Sequence, residues 1–427
     1  MLSIQVEEGN TVYDSRNNSN AIIKTADNEL IVGCQNTTIP NSVTSIGVGA
    51  FYKCNGLISI DIPNSVTTIK GAAFWYCQGL TSVNIPNSVT TIGEEAFSGC
   101  SELTSVKLPN GITTIENDVF SGCTNLTSIT IPNGVTSIGE NAFAGCRPTS
   151  LTIPKSVVSI ANTSFWYCAY NMTSIQVESG NSIYDSRDNC NAIINSADNT
   201  LILGCQNTII PNNVERIGDF AFSFCRDLTS IEIPNSVKSI GEGAFTSCEK
   251  LTSIDIPNSV KSIEKGAFYR CMNLNTINIA NGVTTIGEEA FFYCNNLKTI
   301  ILPKTITTIG NSAFDYCRYT DIYCYAEQLP KLGSNAIDSY LASKATLHVP
   351  ATSIETYKSA EQWKDFGNIV ALTDEDPKPT AISSIEYAPV ATNKAIYDLQ
   401  GHLLTQPKKG LNIIKMSDGT TKKVIIK

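Results

Sequence analysis

Fifteen cysteines and two histidines are the residues of this 427-residue chain best suited to metal binding, redox work or nucleophilic catalysis, so their spacing decides which chemistry is open. Eleven cysteines, Cys54, Cys77, Cys100, Cys123, Cys146, Cys168, Cys225, Cys248, Cys271, Cys294 and Cys317, fall almost throughout at intervals of 23 residues. No CxxC pair or Cys/His cluster occurs, which argues against zinc. His348 and His402 lie far apart, and the chain has no nucleophile elbow, phosphate loop or HExxH segment. Paired carboxylates such as Glu94-Glu95 and Glu288-Glu289 recur with the cysteines and read as openings of a short helical turn rather than as glycosidase pairs. Asp14, Asp27, Asp185 and Asp198 lack calcium-loop spacing and read as Asx turns. The expectation is a protein without cofactor or metal and without catalysis.

A spacing shared by cysteines and their flanking text means a repeat array, so architecture comes before any pocket. One unit runs Leu80-Thr-Ser-Val-Asn-Ile-Pro86-Asn-Ser-Val89-Thr-Thr-Ile92-Gly-Glu-Glu-Ala96-Phe97-Ser-Gly-Cys100, and residues 251–271 repeat it. Leu80, Val83 and Ile85 fit L-x-x-L-x-L, with Ser82 and Asn84 alternating outward on a short parallel strand. Pro86 ends that strand, Val89 to Ile92 reads as a second one, Gly93 turns the chain, and residues 94–97 favour one helical or 3₁₀ turn that drives Phe97 inward. The fold class expected is a β-rich solenoid of the leucine-rich-repeat kind. Repeated cysteines then form a buried column, because identical rotamers point their sulfurs in parallel rather than at one another.

Residues 174–211 repeat residues 3–40 at an offset of 171, each reading as an irregular coil with a hairpin. The solenoid is assigned to residues 1–322. A C-terminal cap follows at 323–372, with a strand at 345–350 and an amphipathic helix opened by a Thr352-Ser-Ile-Glu355 capping box. A Pro/acidic linker (373–380) and a small β module (381–427), with Asp418-Gly419 as a hairpin turn, complete the chain. Met1 aligns with Met172 and no signal peptide opens the sequence, so the chain is expected to be a fragment, with an uncapped first coil able to pair edge to edge.

A formal net charge of −9 disfavours nucleic acid, whose binding rests on clustered Lys and Arg; the basic run in the tail reads as a solvated face. No stretch approaches the roughly 20 apolar residues of a membrane span. Binding surfaces follow from the repeat itself. One outward column is nearly constant Ser or Thr, whereas the next varies through Asp61, Asn84, Lys107, Thr130, Thr152, Gln176, Glu232, Asp255, Asn278 and Ile301, where partner choice could be encoded. A second candidate is the aromatic corner after the core phenylalanine: Trp75, Tyr76, Trp166, Tyr167, Tyr269, Phe292, Tyr293 and Tyr316 occupy sites that are Ser-Gly or Ala-Gly elsewhere. Packing between repeats would use the same corner.

The unit L-T-S-I-x-I-P-N-S-V-T-x-I-G-x-x-A-F-x-x-C resembles the BspA-like, or Treponema-type, leucine-rich repeats of bacterial surface proteins over about three quarters of the chain. The resemblance implies an extracellular or cell-surface adhesin-like protein of a Bacteroidetes or oral bacterium, with a host or microbial surface protein or glycan as partner. The tail, Ile396-Tyr-Asp-Leu-Gln-Gly-His402 through Lys422-Lys-Val-Ile-Ile-Lys427, looks like the C-terminal sorting-like module of exported Bacteroidetes proteins. The alternatives are a spacer or coat repeat with no specific ligand, and an enzyme whose site would lie near residues 323–372.

Overall fold

The structure is a computed structural model that describes residues 2–379 and the backbone of four strands beyond them. Each 23-residue unit makes one turn of a solenoid. In the unit 80–100, Leu80, Val83, Ile85, Val89, Ile92, Ala96, Phe97 and Cys100 are all buried, as the alternation requires. The outward residues Ser82 and Asn84 are exposed.

Two columns of short parallel strands run along the solenoid. The first stacks Ser59–Asp61, Ser82–Asn84, Ser105–Lys107 and Ser128–Thr130 in register, Ser59 beside Ser82 and Asp61 beside Asn84. It resumes from Ser253–Ile256 through Thr276–Ile279, Thr299–Leu302, Asp321–Cys324, Thr346–Val349 and Asn368–Ala371. The second column stacks two-residue strands such as Thr68–Ile69 and Thr91–Ile92. Beside it, threonine hydroxyls stitch neighbouring turns together: Thr67, Thr90, Thr136 and Thr284 each donate to a carbonyl 23 residues earlier, at 3.1–3.4 Å. The Ser/Thr richness of the chain is in this respect structural, since each hydroxyl adds a second hydrogen bond to a carbonyl that already accepts the same threonine's backbone N–H.

The segment after Gly93 differs from the single helical turn expected. Glu95 adopts φ 58° and Gly99 φ 72°, which interrupts any helix. Alternate N–H groups close i→i−3 turns (Ala96 to Gly93, Ser98 to Glu95, Cys100 to Phe97), and those between reach the next unit (Glu95 to Asn117, Phe97 to Val119, Gly99 to Ser121). A helix would spend all of its donors within the unit; these turns divide them between local closure and stacking.

Stacked phenylalanines form the spine. Phe51, Phe74, Phe97, Phe120, Phe143 and Phe165 lie with ring centroids 4.9–5.6 Å apart and planes within 8°. Phe222, Phe245, Phe268, Phe291 and Phe314 repeat the arrangement. The cysteine column runs beside them, and within each stack the thiols after the first donate to a phenylalanine carbonyl: Cys77 to Phe51 at 2.9 Å, Cys100 to Phe74 at 3.2 Å and Cys294 to Phe268 at 3.2 Å. Burial pushes these thiols well above the ordinary range, with neighbouring thiols adding to the effect at Cys123 and Cys146. A thiol at this site fills space and satisfies a carbonyl without needing a charge.

The 171-residue offset marks where the solenoid is interrupted. Ala192–Asn195 and Thr200–Gly204 form an antiparallel hairpin with a register shift at Ile193/Ile194, mirrored by Ala21–Lys24 and Glu29–Gly33. The interior hairpin divides the core in two: Ile193 and Leu203 join the phenylalanine stack before it, whereas Ala192, Ile194 and Leu201 join the one after. Gly204 lies against Phe222, where a Cβ would sit 2.2 Å from the ring, and Gly33 lies likewise against Phe51 at 2.1 Å.

The far end of the solenoid is closed by Ser339–Ala342, Ile354–Ser359 and the buried Tyr357, Trp363 and Phe366. The predicted capping box does not form. The helix begins at Ile354 with no side-chain cap, Glu355 pairs with Lys358, and the Ser353 hydroxyl donates to the Glu327 carbonyl at 3.0 Å. The helix starts one residue later than the box requires, with Ser353 rather than Thr352 at its N-cap, and the Ser353 hydroxyl is oriented by a tertiary acceptor. The acidic segment after the cap is tied down, with Tyr325 Oη donating to the Pro377 carbonyl at 3.1 Å.

Residues 380–427 make a separate unit. In it Ala395–Tyr397, Leu403–Leu404, Gly410–Lys415 and Thr421–Ile426 form an antiparallel four-stranded sheet. Asp418-Gly419 and His402 lie outside the described residues.

Candidate functional site

Strand alternation places the variable column on the surface. Asp61, Asn84, Lys107, Thr130, Thr152, Gln176, Glu232 and Asp255 are exposed; Asn278 and Ile301 are half-buried. Register pairs bring Asp61 beside Asn84, Lys107 beside Thr130, Thr152 beside Gln176, and Asp255 beside Asn278. Glu232 lies on a stretch without strand pairing, just after the interior hairpin, so the column is split into two patches.

The column extends into the cap, where repeat reading stops. Ile301 pairs with Tyr323, Tyr323 with His348, and His348 with Val370. Tyr323 stacks on His348 with centroids 4.2 Å apart, and His348 Nε2 lies 3.2 Å from Asp321. Asp376 approaches Nδ1 at 3.9 Å. Period-2 alternation in Asp321–Cys324 and Thr346–Val349 is the signal that would have found this extension.

The aromatic corner separates into three clusters. Near the N-terminal end Tyr52, Trp75 and Tyr76 pack at 5.2 and 5.4 Å between successive centroids, with Tyr52 and Tyr76 exposed. Tyr76 covers Gly99, whose absent side chain gives the ring its place. The second cluster is absorbed by the interruption: Trp166 packs on Phe220 at 5.6 Å and Tyr167 meets Phe224 edge-on at 4.1 Å. Beside it Tyr170 is sandwiched between the guanidinium groups of Arg147 and Arg226, at 4.6 and 4.8 Å. Trp166 and Tyr167 thus stitch the two halves, a role no local pattern foretold. In the third cluster Tyr269 stacks on Phe292 at 5.3 Å and Tyr293 on Tyr316 at 4.9 Å, with Arg270 beside Tyr269 and Tyr293.

The carboxylates weighed for calcium behave as turn formers. Asp14, Asp185 and Asp198 each accept the N–H two residues on, at 3.0 Å, and Asp27 pairs with Lys24. The Arg16 hydrogen bond holds the Asp14 carboxyl below its usual range; at Asp185 burial opposes the shift, and the bonds from Arg187 and Ser196 outweigh it. Among the described residues no group of three or more His, Cys, Asp or Glu is arranged to hold a metal ion, and no helix is long and apolar enough to cross a membrane.

Short parallel strands, an inward phenylalanine and cysteine spine and an outward variable column define a leucine-rich-repeat solenoid that presents a long side-chain face. The chain belongs to the family of BspA type leucine rich repeat proteins, whose model matches residues 31–147, 102–194 and 202–321. Among solved structures it is similar to a leucine rich cell surface protein from Faecalibacterium prausnitzii, at 25% identity and a TM-score of 0.56, covering 87% of this chain and 96% of that one. The pneumococcal vaccine antigen PcpA shares the fold at 21% identity and a TM-score of 0.60, over 78% of this chain and 85% of that one. So does a leucine-rich repeat protein from Eubacterium ventriosum, at 21% identity and a TM-score of 0.52, over 77% and 92% of the respective chains. No curated protein matches significantly.

Proposed function

We propose that this is a noncatalytic binding protein displayed on or exported to the bacterial surface, which contacts a host or microbial protein or glycan through its strand face. The observation that carries this reading is the outward column from Asp61 to Gln176 and again from Glu232 to His348, whose residue types change from turn to turn over an almost constant scaffold. A solenoid concentrates such variation on one surface, where a partner can read several turns at once. Surface display is supported by membership of the BspA type family and by the likeness to a leucine rich cell surface protein. The sorting-like tail points the same way. Tyr52 and Tyr76, exposed on either side of the half-buried Trp75 and with Lys53 beside Tyr52, offer a second contact, since such aromatics suit protein or glycan recognition.

The test is a screen of the full chain against immobilised matrix proteins and a glycan panel, repeated with Asp61→Ala, Glu232→Ala, Asp255→Ala and Trp75→Ala. A saturable partner is expected, weakened by roughly tenfold in at least one face variant. Absence of any saturable partner, together with tolerance of whole-unit deletions, would favour a spacer instead.

A further inference from the structure

Where the interior hairpin interrupts the solenoid, the second strand column opens into a cleft of about 250 Å³. One wall is the last regular turn before the interruption, with Ile160 and Asn162; the other is the hairpin with Tyr184, Asn195 and Asp198; Arg216 and Asp219 close the far side. These residues span nearly 60 positions in sequence, which is why no motif announces them.

Unspent hydrogen-bonding capacity converges on this cleft. Tyr184 is only 6% exposed, and its hydroxyl accepts the Ile160 N–H at 3.0 Å while no acceptor takes its own proton. Burial, reinforced by the Asp198 carboxylate, keeps that hydroxyl neutral well above neutral pH, so it remains a donor. Asn195 spends its carbonyl oxygen on Ala197 N–H at 2.9 Å, leaving its amide N–H groups free. Asp198 spends Oδ1 on Thr200 N–H and leaves Oδ2 without a partner. Arg216 and Asp219 pair with each other.

The N-terminal copy shows that this chemistry is not a by-product of the hairpin. There Lys24 stands where Asn195 does, and its ammonium neutralises Asp27, the counterpart of Asp198, at 2.7 Å. Glu29 replaces Thr200 and pairs with Lys70 at 2.7 Å. Ser45 and Val48 stand where Arg216 and Asp219 make their pair. Every one of these carboxylates is compensated in one copy; in the other the exposed Asp198, on the rim of the cleft, keeps one oxygen without a partner.

We infer that the cleft binds one neutral sugar ring, the terminal or branch residue of a glycan, with the Asp198 carboxylate and the Asn162 and Asn195 amides on its hydroxyls and the apolar edge of Ile160, Ile202 and Tyr184 against its face. A mostly polar lining of mixed donors and acceptors, with a small apolar edge, fits a polyol. With Arg216 and Asp219 paired, Asp198 leaves the lining net negative, which disfavours an anion and makes a cation the competitor to test. The volume lies below the roughly 300 Å³ at which drug-sized pockets begin, so a single ring is the limit. This site goes beyond the strand-face reading, because it lies on the other strand column and could act with or without a macromolecule on that face.

The experiment is titration of the full chain with neutral hexoses and N-acetylhexosamines, followed by saturation-transfer NMR and calorimetry, with tetramethylammonium and lysine amide as cationic probes. At least one neutral sugar should saturate the protein. Affinity should fall about tenfold or more in Asp198→Asn, since hydrogen bonds to a charged group are the strong ones. Asn162→Ala should weaken it too; Asn162 is exposed, so this variant keeps the fold and answers the question even if Asp198→Asn misfolds. Asp27→Asn, in the counterpart hairpin, should bind as the parent does. The proposal is overturned if no sugar saturates, if only the cations do, or if Asn162→Ala and a folded Asp198→Asn bind unchanged. Loss of sugar binding in Asp61→Ala but not in Asp198→Asn would remove this cleft and leave the strand-face reading standing.

Discussion

Residues 3–40 and 174–211 are closely similar sequences in two positions, and beyond substitutions such as Lys24 for Asn195 and Glu29 for Thr200 they differ in what lies against them. Much of the local structure is shared. Ser15 and Ser186 each accept an N–H nine residues earlier, from Val6 and Val177, and donate six residues on, to Ala21 and Ala192. Arg16 and Arg187 each clamp an aspartate two residues back and an asparagine twelve residues on. Burial separates them: Tyr13 is 38% exposed and Tyr184 6%. Ile22 and Val32 are half-buried, whereas Ile193 and Leu203 are enclosed in the preceding core. The same hairpin has one working face at the end of the solenoid and two in its middle.

Paired substitutions in the two copies can break or sharpen this contrast. The largest difference is expected at the outer face: Ile193→Ala should cost about 2–5 kcal/mol because it leaves a cavity between two cores, and Ile22→Ala about 1 kcal/mol or less. Chemical denaturation of both variants checks it, and equal losses would refute the two-faced hairpin. Next come the glycines, where Gly204→Ala drives a methyl into the Phe222 ring and should cost about 1–3 kcal/mol. Gly33→Ala meets Phe51 as closely, yet should cost less, since the outer face of that hairpin, with Ile22 and Val32, is only half-buried and leaves it room to shift.

A smaller effect concerns acid. The carboxyls of Asp14 and Asp185 are depressed in the folded state, so their contribution is complete above the unfolded value near pH 3.9 and is lost as pH falls through the folded one. Asp185→Asn should flatten the acid limb of stability measured below about pH 4, and so should Asp14→Asn, because this clamp is local and common to both copies. The smallest effect is chemical rather than energetic. Cys54 and its counterpart Cys225 follow the two hairpins, but Cys54 is half-buried and Cys225 enclosed. Alkylation of the native protein at mildly alkaline pH should modify Cys54 first and Cys225 only on unfolding.

The solenoid was legible in sequence because a period of 23 repeats every structural instruction: Leu80, Val83 and Ile85 inward, Pro86 at the corner, Phe97 and Cys100 in the spine. The outward column followed from alternation alone as far as Ile301. The stacking turns were less legible, since Glu94-Glu95-Ala96-Phe97 has helical propensity and the competing inter-turn hydrogen bonds appear only when a neighbour is present. The capping box at Thr352 failed because the helix starts at Ile354 with Ser353 at its N-cap, one residue past the register the box needs, and Ser353 is held by the Glu327 carbonyl. Trp166 and Tyr167 resembled the other corner aromatics in sequence, and only the arrival of Phe220 and Phe224, more than fifty residues later, turned them inward.

What the chain by itself determined is everything that a unit and its identical neighbour settle between them: which side chains face inward, where strands start and stop, and that thiols and phenyl rings lie in file. Tertiary structure alone decided what happens where identity fails. At the interruption a hairpin takes the place of a turn, both of its faces find partners, and the wedge beside it gathers Asn162, Asp198 and Arg216 from distant parts of the chain. Periodicity carries no information about such a place, because the contacts that make it are between segments that do not repeat.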